Sequence, residues 1–193
     1  MLKNQLRPAI VVTVVLMLIT GLMYPGAVTA LAQLLFPRQA NGSLITVDGR
    51  VVGSELIGQQ FARAEYFHSR PSGAGYNGGA SSGTNKGPTD LKLADTLIAQ
   101  AVDSAVRLDG AVKGRIPSDL ITASGSGLDP HISPASALLQ VARVARARGV
   151  DSGAVRALVE RHIEGRQLGF LGEARVNVLL LNLDLDRTLR RTR

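Results

Sequence analysis

The sequence predicts an α+β protein: one N-terminal transmembrane helix followed by a single extracytoplasmic domain with a small sheet and about three packed helices. Three observations predict it. Pro8 to Pro37 is a thirty-residue run without a charged side chain. Two β-rich runs flank Asp48-Gly49 ahead of the helical patterns that follow the apolar run. The helical patterns, bracketed by capping residues and glycine stops, are followed by one more apolar run, Val176 to Leu185. Strands first, helices next and a buried strand last is the order of a segregated α+β fold.

The apolar run is the first element. A helix rises about 1.5 Å per residue, so Ala9 to Leu31 extends roughly 35 Å, enough to cross a hydrocarbon layer about 30 Å thick. A single segment in lipid satisfies its own backbone groups only as a helix. Lys3, Arg7 and the terminal amine precede it, and short basic heads stay on the cytoplasmic side. The expected order is a cytoplasmic head at 1–8, a span at 9–31, a linker at 32–42, a periplasmic domain at 43–186 and a basic tail at 187–193, in the inner membrane of a bacterium. Tyr24 and Pro25 would lie near the outer interface, where an aromatic and a kink are tolerated. Gly26 and Ala30 form a small-xxx-small pair, the candidate site for packing against another helix. A rival reading of the same stretch is a cleaved signal peptide, with Ala30-Leu31-Ala32 before Gln33 as its processing site.

Composition narrows the function. The chain has no cysteine, which removes disulfides, thiolate metal sites and cysteine nucleophiles. It carries 22 basic and 15 acidic residues, and 20 against 15 once Lys3 and Arg7 are set aside with the span. Nucleic-acid binding needs such an excess gathered on one face with aromatics for stacking. Aromatics are only 4% of the chain, and the basic residues cluster only at Arg143, Arg146 and Arg148 and at Arg187, Arg190, Arg191 and Arg193. Both clusters read as a solvated helix face and a frayed end, so no nucleic-acid partner is expected.

The outer elements follow in order. Asp-Gly between β-rich runs predicts a hairpin with strands at about 43–47 and 50–53. The glycine-rich stretch Ser72 to Thr89 predicts a long loop; Gly83 and Lys86 lack the Walker spacing of a phosphate loop. Thr89 or Asp90 caps a helix whose Ala94, Leu97, Ile98, Ala101, Val102, Ala105 and Leu108 share one face and which stops at Gly110. Ile116 to Ala123 reads as extended. Ser133 and Pro134 start a second helix with Leu138, Val141, Ala142 and Ala145 inward, stopped by Gly149. Asp151 or Ser152 caps a third, with Val155, Leu158, Val159 and Ile163 inward, ending at Gly165. Val176 to Leu185, apolar on both faces, reads as a central strand.

Candidate chemistry is sparse. Asp129 and His131, with Ser124, Ser126 and Ser133 nearby, supply the residue types of a serine hydrolase, but no G-x-S-x-G elbow is present. The preferred role of Asp129, His131 and Ser133 is a structural turn that delivers the chain into its helix. His68, His131 and His162 are the only histidines, with no pair at i, i+4 and no cysteine, so no metal site and no catalytic residue is expected. A secreted or membrane-anchored extracytoplasmic ligand-binding domain, or a serine hydrolase, remains the alternative.

Several blocks in fixed order carry a resemblance. Leu56-Ile57-Gly58-Gln59 with Phe61, Tyr66-Phe67-His68-Ser69-Arg70-Pro71-Ser72, Tyr76-Asn77, Ser124 to Ser133, Arg143 to Gly149, and Gly172 to Val178 ending in Leu181-Asn182-Leu183 closely resemble the C subunit of the Kdp potassium-transporting P-type ATPase. Asn85 to Asp90 departs from the family's glycine-rich junction, notably at Lys86, and inherits no role. The resemblance implies an accessory subunit without catalysis or cofactor of its own. Its implied partners are the channel-like potassium-binding subunit, the ATP-hydrolysing P-type subunit and the lipid bilayer. It also implies a catalytic chaperone that raises ATP affinity, which sits awkwardly with a domain placed away from cytoplasmic ATP.

Overall fold

The computed structural model describes residues 2–189. Arg190, Arg191 and Arg193 of the expected basic tail, and the Lys3 side chain, lie outside the described residues; Arg187 is exposed. The chain divides into two compact units, Met1–Leu44 and Ile45–Arg193.

In the first unit, α1 (Leu2–Leu18) passes through one wide π-helical turn, Ile19–Met23, into α2 (Tyr24–Leu35). The stretch Asn4–Leu35 is long and apolar enough to cross a membrane, and none of it is buried against protein. The wide turn has a local cause. Pro25 has no N–H to give the carbonyl of Gly21, and the Tyr24 N–H reaches back five residues to Ile19 instead of four. Thr20 Oγ1 donates to the Leu16 carbonyl at 2.7 Å, a second widening influence. The helix stops at Phe36, whose φ of −137° and ψ of 56° lie outside the helical region that a following proline disfavours. Pro37 then starts the single turn α3 (Pro37–Ala40), and the Asn41 amide closes onto Gln33 Oε1 at 3.1 Å.

The hairpin is β1 (Leu44–Val47) and β2 (Arg50–Ser54). Asp48 and Gly49 take positive φ, 49° and 76°, as the two-residue turn requires. No regular element forms between Ser54 and Asp90. A π-helical turn, Leu93–Ile98, leads into α4 (Ala99–Asp109), whose end is capped by Gly110 in the left-handed region. The start belongs to Asp90, which accepts the Leu93 N–H at 3.1 Å. The face expected to be packed is largely open: only Ala105 of this helix is buried, and Leu97 and Leu108 are exposed. The expected extended segment 116–123 contains a helical turn, α5 (Ser118–Ile121), before the backbone extends at Thr122.

Apart from Phe67, the core cluster lies after this point. β3 (His131–Ile132), α6 (Pro134–Arg148), α7 (Ser152–Arg161), β4 (Ile163–Glu164), β5 (Arg175–Asn177) and α8 (Val178–Thr188) complete the chain. The sheet is antiparallel in the order β3-β5-β4, with Ile132 and Ile163 both opposite Val176. Ser133 caps α6 by accepting the Ser136 N–H, and Asp151 caps α7 by accepting the Ala154 N–H. Helix α7 ends at Arg161, ahead of the expected Gly165, because Ile163 and Glu164 pair with β5. Val144, Val155, Leu158, Val159, Val176, Leu181 and Leu185 have no exposed surface, and each such burial is worth about 1.5–3 kcal/mol.

The expected strand from Val176 to Leu185 is overturned. Only Arg175–Asn177 is strand, and the rest is helix α8. Asn177 switches the backbone: its side chain accepts the Leu180 N–H at 3.1 Å, an N-cap that starts the helix. Val178, Leu181, Asn182 and Leu185 then face inward at helical spacing. A short apolar run does not distinguish helix from strand by period alone.

The expected solvated arginine face is also overturned. Arg146 is exposed, but Arg143 and Arg148 are only 5% and 3% exposed. Ala142, expected inward, is exposed. The buried arginines, with Gln140 and Asn182, hold an irregular segment in which five consecutive carbonyls, Ala64 to His68, accept from side chains. Asn182 takes both backbone groups of Phe67, at 2.8 and 3.0 Å. Gln140 takes both of His68, at 2.7 and 3.2 Å. Arg143 donates to Ala64 and Tyr66 at 2.7 and 2.8 Å and pairs through Nε with Asp109 at 2.7 Å. Arg148 donates to Glu65 at 2.8 Å and to Asp186 at 2.6 Å, with its guanidinium 5.0 Å from the Tyr66 ring centre.

Removing one partner from a buried pair leaves the other unsatisfied, at about 1–3 kcal/mol for each group. Asn182→Leu, which strands both backbone groups of Phe67, is expected to lower unfolding free energy by about 3 kcal/mol in urea titration of the purified chain. Arg146→Ala is expected to change it by less than about 0.5 kcal/mol.

Candidate functional site

The candidate turn is densely hydrogen-bonded. Asp129 Oδ1 accepts the His131 N–H at 3.0 Å, and Oδ2 accepts from Arg70 Nη1 at 3.0 Å. Asp119, on α5, organises the start of α6: it accepts the Ser133 N–H at 2.7 Å, the Ser133 hydroxyl at 3.0 Å and the Ser136 hydroxyl at 2.7 Å. A carboxylate at a helix N-terminus also meets the positive end of the helix dipole. Burial pushes the Asp129 carboxyl up, but hydrogen bonds from His131 and Arg70 outweigh it and hold it below the ordinary carboxylate range.

The sequence blocks Leu56 to Gln59, Tyr66 to Ser72 and Ser124 to Ser133 meet here through backbone. The Gly58 N–H donates to the Leu128 carbonyl at 2.7 Å, and a Cβ on Gly58 would sit 2.5 Å from the Asp129 carbonyl oxygen. Gly127 has φ +70°, and a Cβ there would lie 2.5 Å from the Ser82 carbonyl oxygen. Both positions require glycine for close approach. Ser72 Oγ donates to the Gly127 carbonyl at 2.5 Å, and the Tyr76 hydroxyl to the Arg70 carbonyl at 2.6 Å.

This arrangement does not make a hydrolase. The Ser133 hydroxyl bonds Asp119 and Ser136, while the hydroxyls of Ser124 and Ser126 face each other at 3.3 Å. The His131 ring lies 3.5 Å from Asp129, and no hydrogen bond joins it to a serine among the described residues. A cleft of about 490 Å³ opens beside the turn, lined by Arg70, Asp119, His131 and Arg175 among others. No group of three or more His, Asp or Glu side chains converges on a metal position among the described residues. His162 lies at the edge of its helix, Nδ1 3.0 Å from the Leu158 carbonyl oxygen. Gly26 and Ala30 sit one turn apart on α2, both exposed, with open space around Gly26.

Sequence reasoning missed Gln140, Asn182 and Asp119. The first two had a signal: a polar residue at a position that helical spacing places on the apolar face. Asp119 had none, because its three partners come from another element.

A lipid-sized apolar helix joined to a body whose buried polar groups serve its own backbone is the build of a membrane-anchored accessory protein. Residues 6–187 match the family model KdpC, described as K+-transporting ATPase, c chain. The chain is similar to potassium-transporting ATPase KdpC subunits of Gemmatimonas aurantiaca, 64% identical over 96% of this chain and 94% of that one, and of Methylococcus capsulatus, 56% identical over 95% and 97%. The corresponding subunit of Myxococcus xanthus is 59% identical over 90% of this chain and 83% of its own. The chain belongs to the KdpC family, and as such is a non-catalytic subunit of the potassium-transporting ATPase.

His68 gives a pH dependence. Burial, and then the Arg143 charge, lower its pKa below 6.5, against the raising influence of the Arg63 carbonyl and Asp109. The folded chain therefore binds this proton less tightly than the unfolded one, so the stability contributed by neutral His68 is complete above about pH 6.5 and is lost as pH falls through the folded value. Urea midpoints measured from pH 7.5 to 5 are expected to fall, and His68→Asn to flatten that fall. Loss at Asp129 belongs to a lower window, below about pH 4.

Proposed function

We propose that this chain stabilises assembly of a bacterial potassium-import complex by holding together its channel-like and ATP-hydrolysing subunits. The observation that carries the reading is the family match over residues 6–187, supported by the unburied helix Asn4–Leu35. Within this reading the span is single, the basic head is cytoplasmic, and the α+β body lies on the extracytoplasmic side of the inner membrane. At about 48 Å the helix exceeds the hydrocarbon thickness of about 30 Å, so its ends reach the interfaces. Gly26 and Ala30 present the face on which a partner helix approaches. Asp129, His131 and Ser133 serve the body's architecture.

On this topology a rise in ATP affinity at the ATPase subunit, the action of a catalytic chaperone, is transmitted through the assembled complex. The body lies across the bilayer from cytoplasmic nucleotide. Coupling of that kind needs a differential contact with two states of the partner.

Protease added outside sealed right-side-out vesicles is expected to digest the body while sparing the head; protection of the body would overturn the orientation. Gly26→Leu with Ala30→Leu is expected to reduce co-purification with the channel-like subunit severalfold. Unchanged yield would show that this face is not the contact.

A further inference from the structure

The hairpin between β4 and β5 exposes three large apolar side chains together: Leu168, Phe170 and Leu171 are 84%, 69% and 47% exposed. Gln167 and Leu171 exchange backbone hydrogen bonds, both 2.9 Å, across a three-residue tip. Leu168 has φ +52°, the left-handed region that bulky residues avoid and that asparagine or glycine fills without penalty. Packing inside the body does not offset that cost, because the side chain points away from it. The arms are braced by ion pairs, Arg166–Glu173 and Arg175–Glu164, both 2.8 Å. The result is an exposed apolar tip on arms whose charges are paired.

We propose that this tip inserts into the lipid interface, as a second membrane contact of the chain. Two observations favour lipid. Only eight residues, Phe36 to Ser43, separate the end of α2 from β1, at most about 28 Å of extended chain, so the body is tethered at the bilayer surface. That tether replaces diffusional encounter with a high local concentration of lipid. The tip also has the composition that enters an interface, with Leu and Phe foremost and the paired charges of Arg166–Glu173 and Arg175–Glu164 behind. The inference rests on the reading of Asn4–Leu35 as a membrane span.

The chain contains no tryptophan, so Phe170→Trp creates a single reporter. The full-length variant is reconstituted alone into vesicles of phosphatidylcholine and phosphatidylglycerol, with and without brominated acyl chains. The Phe170→Trp variant is expected to emit to the blue of Val112→Trp, a control at another exposed position, and to lose at least half its emission to bromine while the control loses little. Tyr24→Trp in the same vesicles reports the span independently, so its quenching alongside water-like, unquenched emission from Phe170→Trp would overturn the hairpin proposal alone. Emission from Phe170→Trp that turns blue only when the other pump subunits are added, still unquenched by bromine, would assign the tip to a protein contact and overturn lipid insertion.

Discussion

The second unit depends on a set of side chains that take the part usually left to a sheet. Ala64 to His68 belongs to no strand or helix and passes from exposed Ala64 to buried Phe67, yet each of its carbonyls finds a donor on α6 or α8. At buried Phe67, an unpaired carbonyl would cost on the order of 1–3 kcal/mol. The pairing also explains the residue types: a guanidinium offers five donors in a fixed fork and bridges several carbonyls at once, which an ammonium cannot do. Side-chain amides pair with donor and acceptor of the same residue, as Asn182 does with Phe67 and Gln140 with His68.

Buried arginines carry a desolvation cost, offset here by hydrogen bonds to backbone and by close carboxylates. Arg143 and Asp109 are both almost wholly buried at 2.7 Å, whereas the Asp186 partner of Arg148 stays half exposed. The first pair is consequently the more sensitive to losing one member. Because Asp109 ends α4, the pair also anchors a helix whose apolar face is otherwise largely open. The same polar economy governs the turn before α6, where Asp119, Asp129 and Arg70 fix the chain's path. Residues that look like catalytic machinery in one dimension are engaged in architecture in three, consistent with membership of a family of non-catalytic pump subunits.

Elements whose rules are local were legible in the sequence. The Asp48-Gly49 hairpin, the Ser133 and Asp151 caps, the Gly110 and Gly149 stops and the apolar helix each follow from what a few adjacent residues permit. Elements decided by distant partners were not. Val178 to Thr188 has an apolar pattern that suits either period, and the N-cap at Asn177 decides it. Arg143 and Arg148 look like surface residues until the segment they serve is folded beneath them. Of the candidate site, the bond from the His131 N–H to Asp129 joins residues two apart in the chain, whereas Asp119 lies fourteen residues before the Ser133 it bonds and left no local signal.

The sequence by itself determined the apolar helix, the α+β class, the positions of most helix ends and, through its ordered blocks, the family. All are set by chain composition and by interactions within one or two turns. Only the tertiary structure decided which polar residues are buried, where the last strand becomes a helix, and which apolar residues stay outside. Those outcomes depend on pairing unsatisfied backbone groups with side chains far away in sequence, and hydrogen-bond demand of that kind leaves no periodic trace along the chain.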